Sequence, residues 1–385
     1  MADSAPRNPP KRHAKALPLP DTVALVLQGG GALGSFQAGV IEGLEAAAIE
    51  VDWVAGISIG AANAAIVAGN PPEKRVAQLR AFWALLTSGL PSFPIYPDDR
   101  IREFLHEWSA GVVMAAGVPG FFRPRLLSPL FAIPGSAEAL SFYDTSQFAE
   151  TLDSFIDWDL LNSGKVRLSV GAVDIESGNF RFFDTTAERI DVRHIMASGA
   201  LPPGLPPVEI GGKLWWDGGL VSNTPLSHVL DNQFAEMLVF QVDLFSSAAD
   251  RPKTIMDVMA REKEIRFSSR TRQISDQLLR VRKDKELARK VLAKLPPEAL
   301  GDPDVVAFTA RVQEEAVNLV QLIYRANAWE GGSRDFEFSA RTMNEHWHAG
   351  LQAVRETMAN AQLVAANIET GKTAAFDLTV HPSKA

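Results

Sequence analysis

Apolar residues along this chain gather in short unbroken runs, punctuated by glycine and alternating with stretches of helical period. Val23-Ala24-Leu25-Val26-Leu27 is one such run, rich in β-branched residues. It predicts a strand buried on both faces, as in a parallel sheet. Ser35 to Ala48 then places Phe36, Val40, Ile41 and Leu44 on one face and predicts a helix. A second buried strand is expected over about 51–57, followed by an alanine-rich helix, and a further helix over 75–87 carries Val76, Leu79, Phe82, Trp83 and Leu86 inward. Val166–Asp174 and Phe180–Phe183 read as strands joined by the turn Glu176-Ser177-Gly178-Asn179, and Val192–Ser198 as a short helix. Leu201–Pro207 is a rigid loop, because each proline lacks an N–H and fixes φ. Short strands are expected before Asp217 and over Met237–Asp243. Beyond residue 246, helices are predicted over 311–328 and 342–369, and the alternation in Asp335–Ser339 predicts an added edge strand. Strand–helix alternation of this kind implies an α/β fold with a mostly parallel sheet.

Composition narrows the function classes. The chain has 385 residues, 46% of them apolar and 22% charged, which suits a globular core and leaves room for two domains. A net charge of -8 argues against broad nucleic-acid binding. Cysteine is absent, so disulfides, thiol catalysis and cysteine metal sites are excluded together. Residues 1–21, basic and rich in proline, are expected to be a disordered arm. They contain no apolar signal-peptide core, and no run of 18 apolar residues follows, so a cytoplasmic protein that touches membranes only peripherally is expected.

Candidate chemistry enters at Gly56-Ile57-Ser58-Ile59-Gly60, where the second strand turns into the alanine-rich helix. This is a G-x-S-x-G pattern. Glycine tolerates the crowding of a strained strand-to-helix elbow, and the elbow displays the serine hydroxyl at the positive end of the following helix. Ser58 is thus a candidate nucleophile for acyl transfer. The pattern arises by chance in about one chain of this length in ten, so its context carries the weight.

Gly29-Gly30-Gly31-Ala32-Leu33-Gly34 joins the first strand to a helix N-terminus and offers free N–H groups to an anion. A dinucleotide would use this G-x-G-x-x-G but also wants an acid after the next strand, where the serine elbow stands instead; Asp52 lies at that strand's beginning. A P-loop would want a lysine before Ser35, and there is none. The oxyanion of a tetrahedral acyl intermediate is the third candidate, and a serine one strand away suits it. A purely structural turn is the fourth. Downstream, Asp217-Gly218-Gly219 ends a short strand and leaves a carboxylate free to accept a proton. An α/β-hydrolase order would pair Asp217 with His228 or His346, yet neither histidine sits in a glycine-punctuated strand-end loop. A Ser58–Asp217 dyad fits better than a triad.

These three motifs, in this order and spacing, resemble those of the patatin-like phospholipases over residues 22–245. The resemblance implies a three-layer α/β/α sandwich, an oxyanion hole at Gly29, Gly30, Gly31, Ala32, Leu33 and Gly34, and a nucleophile elbow at Gly56, Ile57, Ser58, Ile59 and Gly60. It also implies an Asp-Gly-Gly motif at Asp217, Gly218 and Gly219, with no metal or cofactor. The implied activity is hydrolysis of lipid acyl esters, of the phospholipase A or lipid acyl hydrolase type. In one departure, Leu33 stands where the family's loop often carries a basic residue; this bears on the substrate rather than the chemistry. Residues 246–385 resemble a mainly helical C-terminal extension found in some bacterial members.

Two segments raise contact with lipid. The apolar stretch 110–127 is either a buried loop or a lipid-facing lid in which Phe121, Phe122 and Leu126 line acyl access. The segment 251–294 carries 14 basic and 6 acidic residues on amphipathic helices, which suits either a solvated face or an anionic lipid surface. Two rival functions stay open: a regulatory lipid-binding module that turns over poorly, and a nucleotide-binding α/β protein. Oligomeric state leaves no mark in the sequence.

Overall fold

A computed structural model describes residues 13–14, 17–91, 98–246, 251–252, 255–313, 315–327 and 329–379. Most of the expected N-terminal arm lies outside these residues. Leu17 and Leu19, expected within that arm, are buried against the body.

Nine strands form one sheet: β1 Thr22–Leu27, β2 Trp53–Gly56, β3 Arg167–Asp174, β4 Phe180–Asp184, β5 Val208–Ile210, β6 Lys213–Asp217, β7 Met237–Asp243, β8 Val317–Ile323 and β9 Ala374–Phe376. Their order is β9-β8-β7-β1-β2-β3-β6-β5, with β4 also on β3. The pairings from β9 through to β3 are parallel, while those of β3 with β4, β3 with β6 and β6 with β5 are antiparallel. The mostly parallel sheet expected from the unbroken apolar runs is therefore present. β1, β2 and β7 are buried along their whole length, as strands covered on both faces must be.

Helices cover both faces. α1 Gly34–Ala46, α2 Ile59–Ala68 and α3 Pro72–Leu86 build the larger core with Phe36, Phe82 and Trp83, and α7 Leu226–Asp231 builds the smaller one on the opposite face with Trp53 and Val239. Between α3 and β3 lie α4 Asp99–Ala116 and α5 Ser146–Phe155; α6 Val192–Ser198 follows β4. Past residue 245 come α8 Ile255–Leu292, α9 Pro303–Val312, α10 Ala340–Ala359 and α11 Ala361–Glu369.

This last stretch is mainly helical but also gives the sheet two of its strands, β8 and β9. The helix expected over 311–328 is corrected here: Val317–Ile323 is β8, paired in parallel with β7. Seven mostly apolar residues in a row satisfy a doubly covered strand and a buried helix alike. The edge strand expected at Asp335–Ser339 is instead a 3-10 turn, Arg334–Phe336, leading into α10. The basic segment forms one long helix, α8, and its Arg282 turns inward to Gln233 Oε1 at 2.7 Å. Phe122 is buried and Phe121 packs on Phe148 and Phe338, so neither lines an open lid; Leu126 is fully exposed.

Candidate active site

The glycine loop and the elbow sit at the carboxyl ends of β1 and β2, where an open α/β sheet leaves its crevice, and Asp217 closes β6 opposite Ala172 of the antiparallel β3. Gly56 closes β2, and Ser58 follows at φ 56°, ψ -126°, a region L-residues rarely occupy. The glycines explain how the chain reaches it. A Cβ on Gly56 would overlap the carbonyl of Gly60, and one on Gly60 would come within 2.5 Å of the Leu27 carbonyl. α2 begins at the next residue, Ile59, so its positive end lies at Ser58. Ile57 and Ile59 are buried and anchor the turn on either side, while Ser58 stays half-buried.

Asp217 ends β6 and is 2% exposed. Burial pushes its carboxyl up to about 7, partly offset by the Gly219 N–H and by the neighbouring Ser58 side chain. The Gly219 N–H donates to Asp217 Oδ1 at 2.7 Å. Gly218 lies so close to the Gly171 carbonyl, 2.5 Å from an added Cβ, that the 3-10 turn Gly218–Leu220 can pass only without a side chain. The structure thus brings together the serine and the acid, 159 residues apart in sequence (217 minus 58).

One segment positions both. The Ser58 N–H donates to the Ser198 carbonyl and hydroxyl, each at 3.1 Å, and the Asp217 N–H donates to the Ala200 carbonyl at 3.0 Å. Ser198 is fully buried at the end of α6. Nothing in its sequence context marks this role: a serine closing a short helix is common.

The glycine loop lies beside the elbow. A Cβ built on Gly29 would sit 3.0 Å from Ser58 Cβ. Gly31–Leu33 is a 3-10 turn entered with Gly31 at φ 56°, and Gly34 opens α1. Ala32 and Leu33 are buried, so the position that departs from the family's basic residue faces the core. Among the described residues, no hydrogen bond claims the N–H of Gly30 or Gly31. Gly29 is held elsewhere: its N–H donates to the Asn223 carbonyl at 3.1 Å, and its carbonyl accepts from Asn223 Nδ2 at 3.0 Å. Gln28 anchors the same loop from the other side, with Oε1 accepting from the Leu244 N–H at 2.6 Å and Nε2 donating to Thr224 at 3.0 Å. Asn223 and Gln28 are buried polar residues in irregular chain, and no periodicity points to them.

The histidines are engaged elsewhere. His228 stacks on Phe182 and meets Asp184 at 3.2 Å, while His346 meets Glu330 at 3.2 Å. Asp184 is held well below the usual carboxylate range by His228, Arg167, Ser169 and Thr186, against the opposing effect of burial. Among the described residues, no three His, Cys, Asp or Glu converge as metal ligands.

A family model described as "Patatin-like phospholipase" matches residues 25–230, more than half of the 385. The chain belongs to the patatin-like phospholipase family. A second model, described as "Patatin phospholipase", matches residues 265–368. Lysophospholipase NTE1 of Cryptococcus neoformans var. neoformans serotype D is 22% identical over 259 residues, which cover 64% of this chain and 13% of that protein. Human patatin-like phospholipase domain-containing protein 6 is 44% identical over 64 residues, 17% of this chain and 5% of that protein. The chain therefore spans only a small part of the length of these curated relatives. Among solved structures, VipD from Legionella pneumophila aligns over 97% of this chain and 77% of its own at 14% identity, with a TM-score of 0.42.

Proposed function

We propose that this patatin-like phospholipase family member hydrolyses carboxylic esters of lipids, with Ser58 as nucleophile and Asp217 as its base. The observation that carries this reading is the buried Asp217 carboxyl, pushed up to about 7 and set beside the side chain of Ser58, a residue in strained backbone. A base works best when its pKa lies near the operating pH. Raised by burial, the Asp217 carboxylate is a far stronger base than an exposed aspartate.

The reaction follows from these groups. Ser58 Oγ attacks the ester carbonyl while its proton passes to Asp217. The N–H groups of Gly30 and Gly31 receive the oxyanion, with the α2 N-terminus adding positive potential. Asp217 returns the proton to the departing alcohol, leaving an acyl group on Ser58. Water then attacks that acyl-enzyme, again losing its proton to Asp217, and the fatty acid departs as Ser58 is restored. Residues 22–245 supply every group named, and 246–385 complete the sheet beside them.

A panel of phospholipids, lysophospholipids and neutral glycerides, read by mass spectrometry of the released acids, tests the reading. Wild-type protein is expected to release fatty acid from at least one class and Ser58→Ala from none. Equal release by both would overturn it.

A further inference from the structure

Residues 126–140 bulge from the body between two short strands, Arg123–Pro124 and Tyr143–Asp144, that pair to close a narrow neck. Arg123 bridges the neck to Asp144 at 2.8 Å, and Arg125 Nε reaches the Ser141 carbonyl at 3.1 Å. Inside the bulge are only two 3-10 turns, Pro129–Phe131 and Ala137–Leu140. Its apolar side chains point outward. Leu126 is fully exposed, and Leu130, Phe131 and Ile133 are 82%, 78% and 77% exposed. Leu127, Leu140 and Phe142 extend the patch. Single exposed apolar residues are ordinary, but seven within 17 residues form a patch that water does not favour.

We propose that this bulge is the surface by which the protein docks on a neutral lipid interface. The proposal rests on the lipid-ester reading of the site, and three observations favour lipid over a protein partner. First, Glu138 is the sole charged residue from 126 to 142, and the guanidinium groups of Arg123 and Arg125 are occupied at the neck. Residues 126–133 therefore enter an apolar medium without carrying charge into it, and Glu138 is the one charge of the bulge that must stay at the polar headgroup level. Second, the tip is leucine, isoleucine and phenylalanine, whereas protein hot spots are built on Trp, Tyr and Arg, with leucine under-represented. Third, the neck is continuous with the site. The Phe142 and Tyr143 N–H groups donate to the Pro203 and Gly204 carbonyls at 3.1 and 2.9 Å, three residues past the 198–200 segment that holds Ser58 and Asp217. Seating the bulge in a lipid surface would hold that segment, and the ester-cleaving pair, at the interface where the substrate lies.

Docking through the bulge alone needs no basic helix, so binding should persist without anionic lipid and in about 0.5 M salt, where surface charges are screened within a few ångströms.

The test uses full-length protein carrying Ser58→Ala, so that lipid is bound but not consumed, sedimented with phosphatidylcholine vesicles. The expected result is co-sedimentation that Leu130→Ser with Phe131→Ser weakens on the order of tenfold or more, since burying either side chain is worth about that factor. Thermal melting of the double variant should match its parent, because both side chains project into solvent. In Ser58-intact protein, the same pair of substitutions should slow hydrolysis of vesicular lipid and leave a monomeric p-nitrophenyl ester untouched. Unchanged vesicle binding by the double variant would overturn the proposal. So would binding abolished by salt, or a wild-type dimer that the substitutions dissociate. Loop-dependent vesicle binding by a protein with no esterase activity would uphold the docking surface and sink only the catalytic reading.

Discussion

Asn223 grips Gly29 by both ends of its backbone: the asparagine carbonyl takes the glycine N–H at 3.1 Å, and its side-chain amide donates to the glycine carbonyl at 3.0 Å. Asn223 follows the Asp217 turn by only a few residues, so the clamp ties the acid's loop to the glycine loop. It fixes the orientation of the peptides that follow, including the N–H groups of Gly30 and Gly31.

Removing the side-chain half of the clamp should cost rate more than affinity. Asn223→Ala is expected to lower kcat by about 10²- to 10³-fold, the range seen when one oxyanion donor is lost, with KM little changed. Steady-state kinetics on a soluble ester reads the split. A rise in KM with kcat intact would show that Asn223 serves binding instead.

The Asp217 carboxyl must be ionised to accept a proton, and burial pushes it up to about 7. Accordingly, kcat/KM should fall about tenfold per pH unit below pH 7 and level off above it. A profile flat from pH 5 to 8 would contradict this assignment of the base.

The same shift makes a stability prediction with a definite sign. An unfolded chain releases this proton near 3.8, whereas the folded chain keeps it to about 7. The folded state then binds more protons between these values, so Asp217 contributes less and less stability as pH rises from about 4 to 7. Asp217→Asn abolishes that loss. Its melting temperature relative to wild type should increase from pH 4 to pH 8, while activity drops by about 10²-fold or more. A difference in melting temperature independent of pH would argue against the raised value.

Residues beyond 245 place β8 and β9 beyond β7 in the sheet, and α10 buries Trp347 in the larger core. The Asp335 carbonyl also lies against Gly31. A fragment ending at residue 245 would leave β7 as an exposed apolar edge, a template for aggregation. It is expected to aggregate or to lack a cooperative thermal transition, and a soluble, active fragment would show that the extension is dispensable.

Legibility followed backbone demand. Gly56, Gly60 and Gly218 stand where a Cβ would strike a neighbouring carbonyl, and such positions leave spaced glycines in the sequence. The elbow, the glycine loop and the acid's turn were readable for that reason, as were β1 and β7 from their unbroken apolar runs. Asn223, Ser198 and Gln28 were not, since each is one polar residue whose partner lies far along the chain. Val317–Ile323 shows no period that separates a doubly covered strand from a buried helix, so β8 is not legible as a strand. Phe121, Phe122 and Leu126 share one apolar stretch, and only the fold decides that the first two turn inward while the third opens the exposed bulge.

The most direct test of the account is covalent. Incubation with a fluorophosphonate probe followed by peptide mass spectrometry should find a single modified residue, Ser58, with labelling that slows greatly in Asp217→Asn. Modification at another serine, or no modification of a protein that still hydrolyses esters, would contradict the Ser58–Asp217 pair.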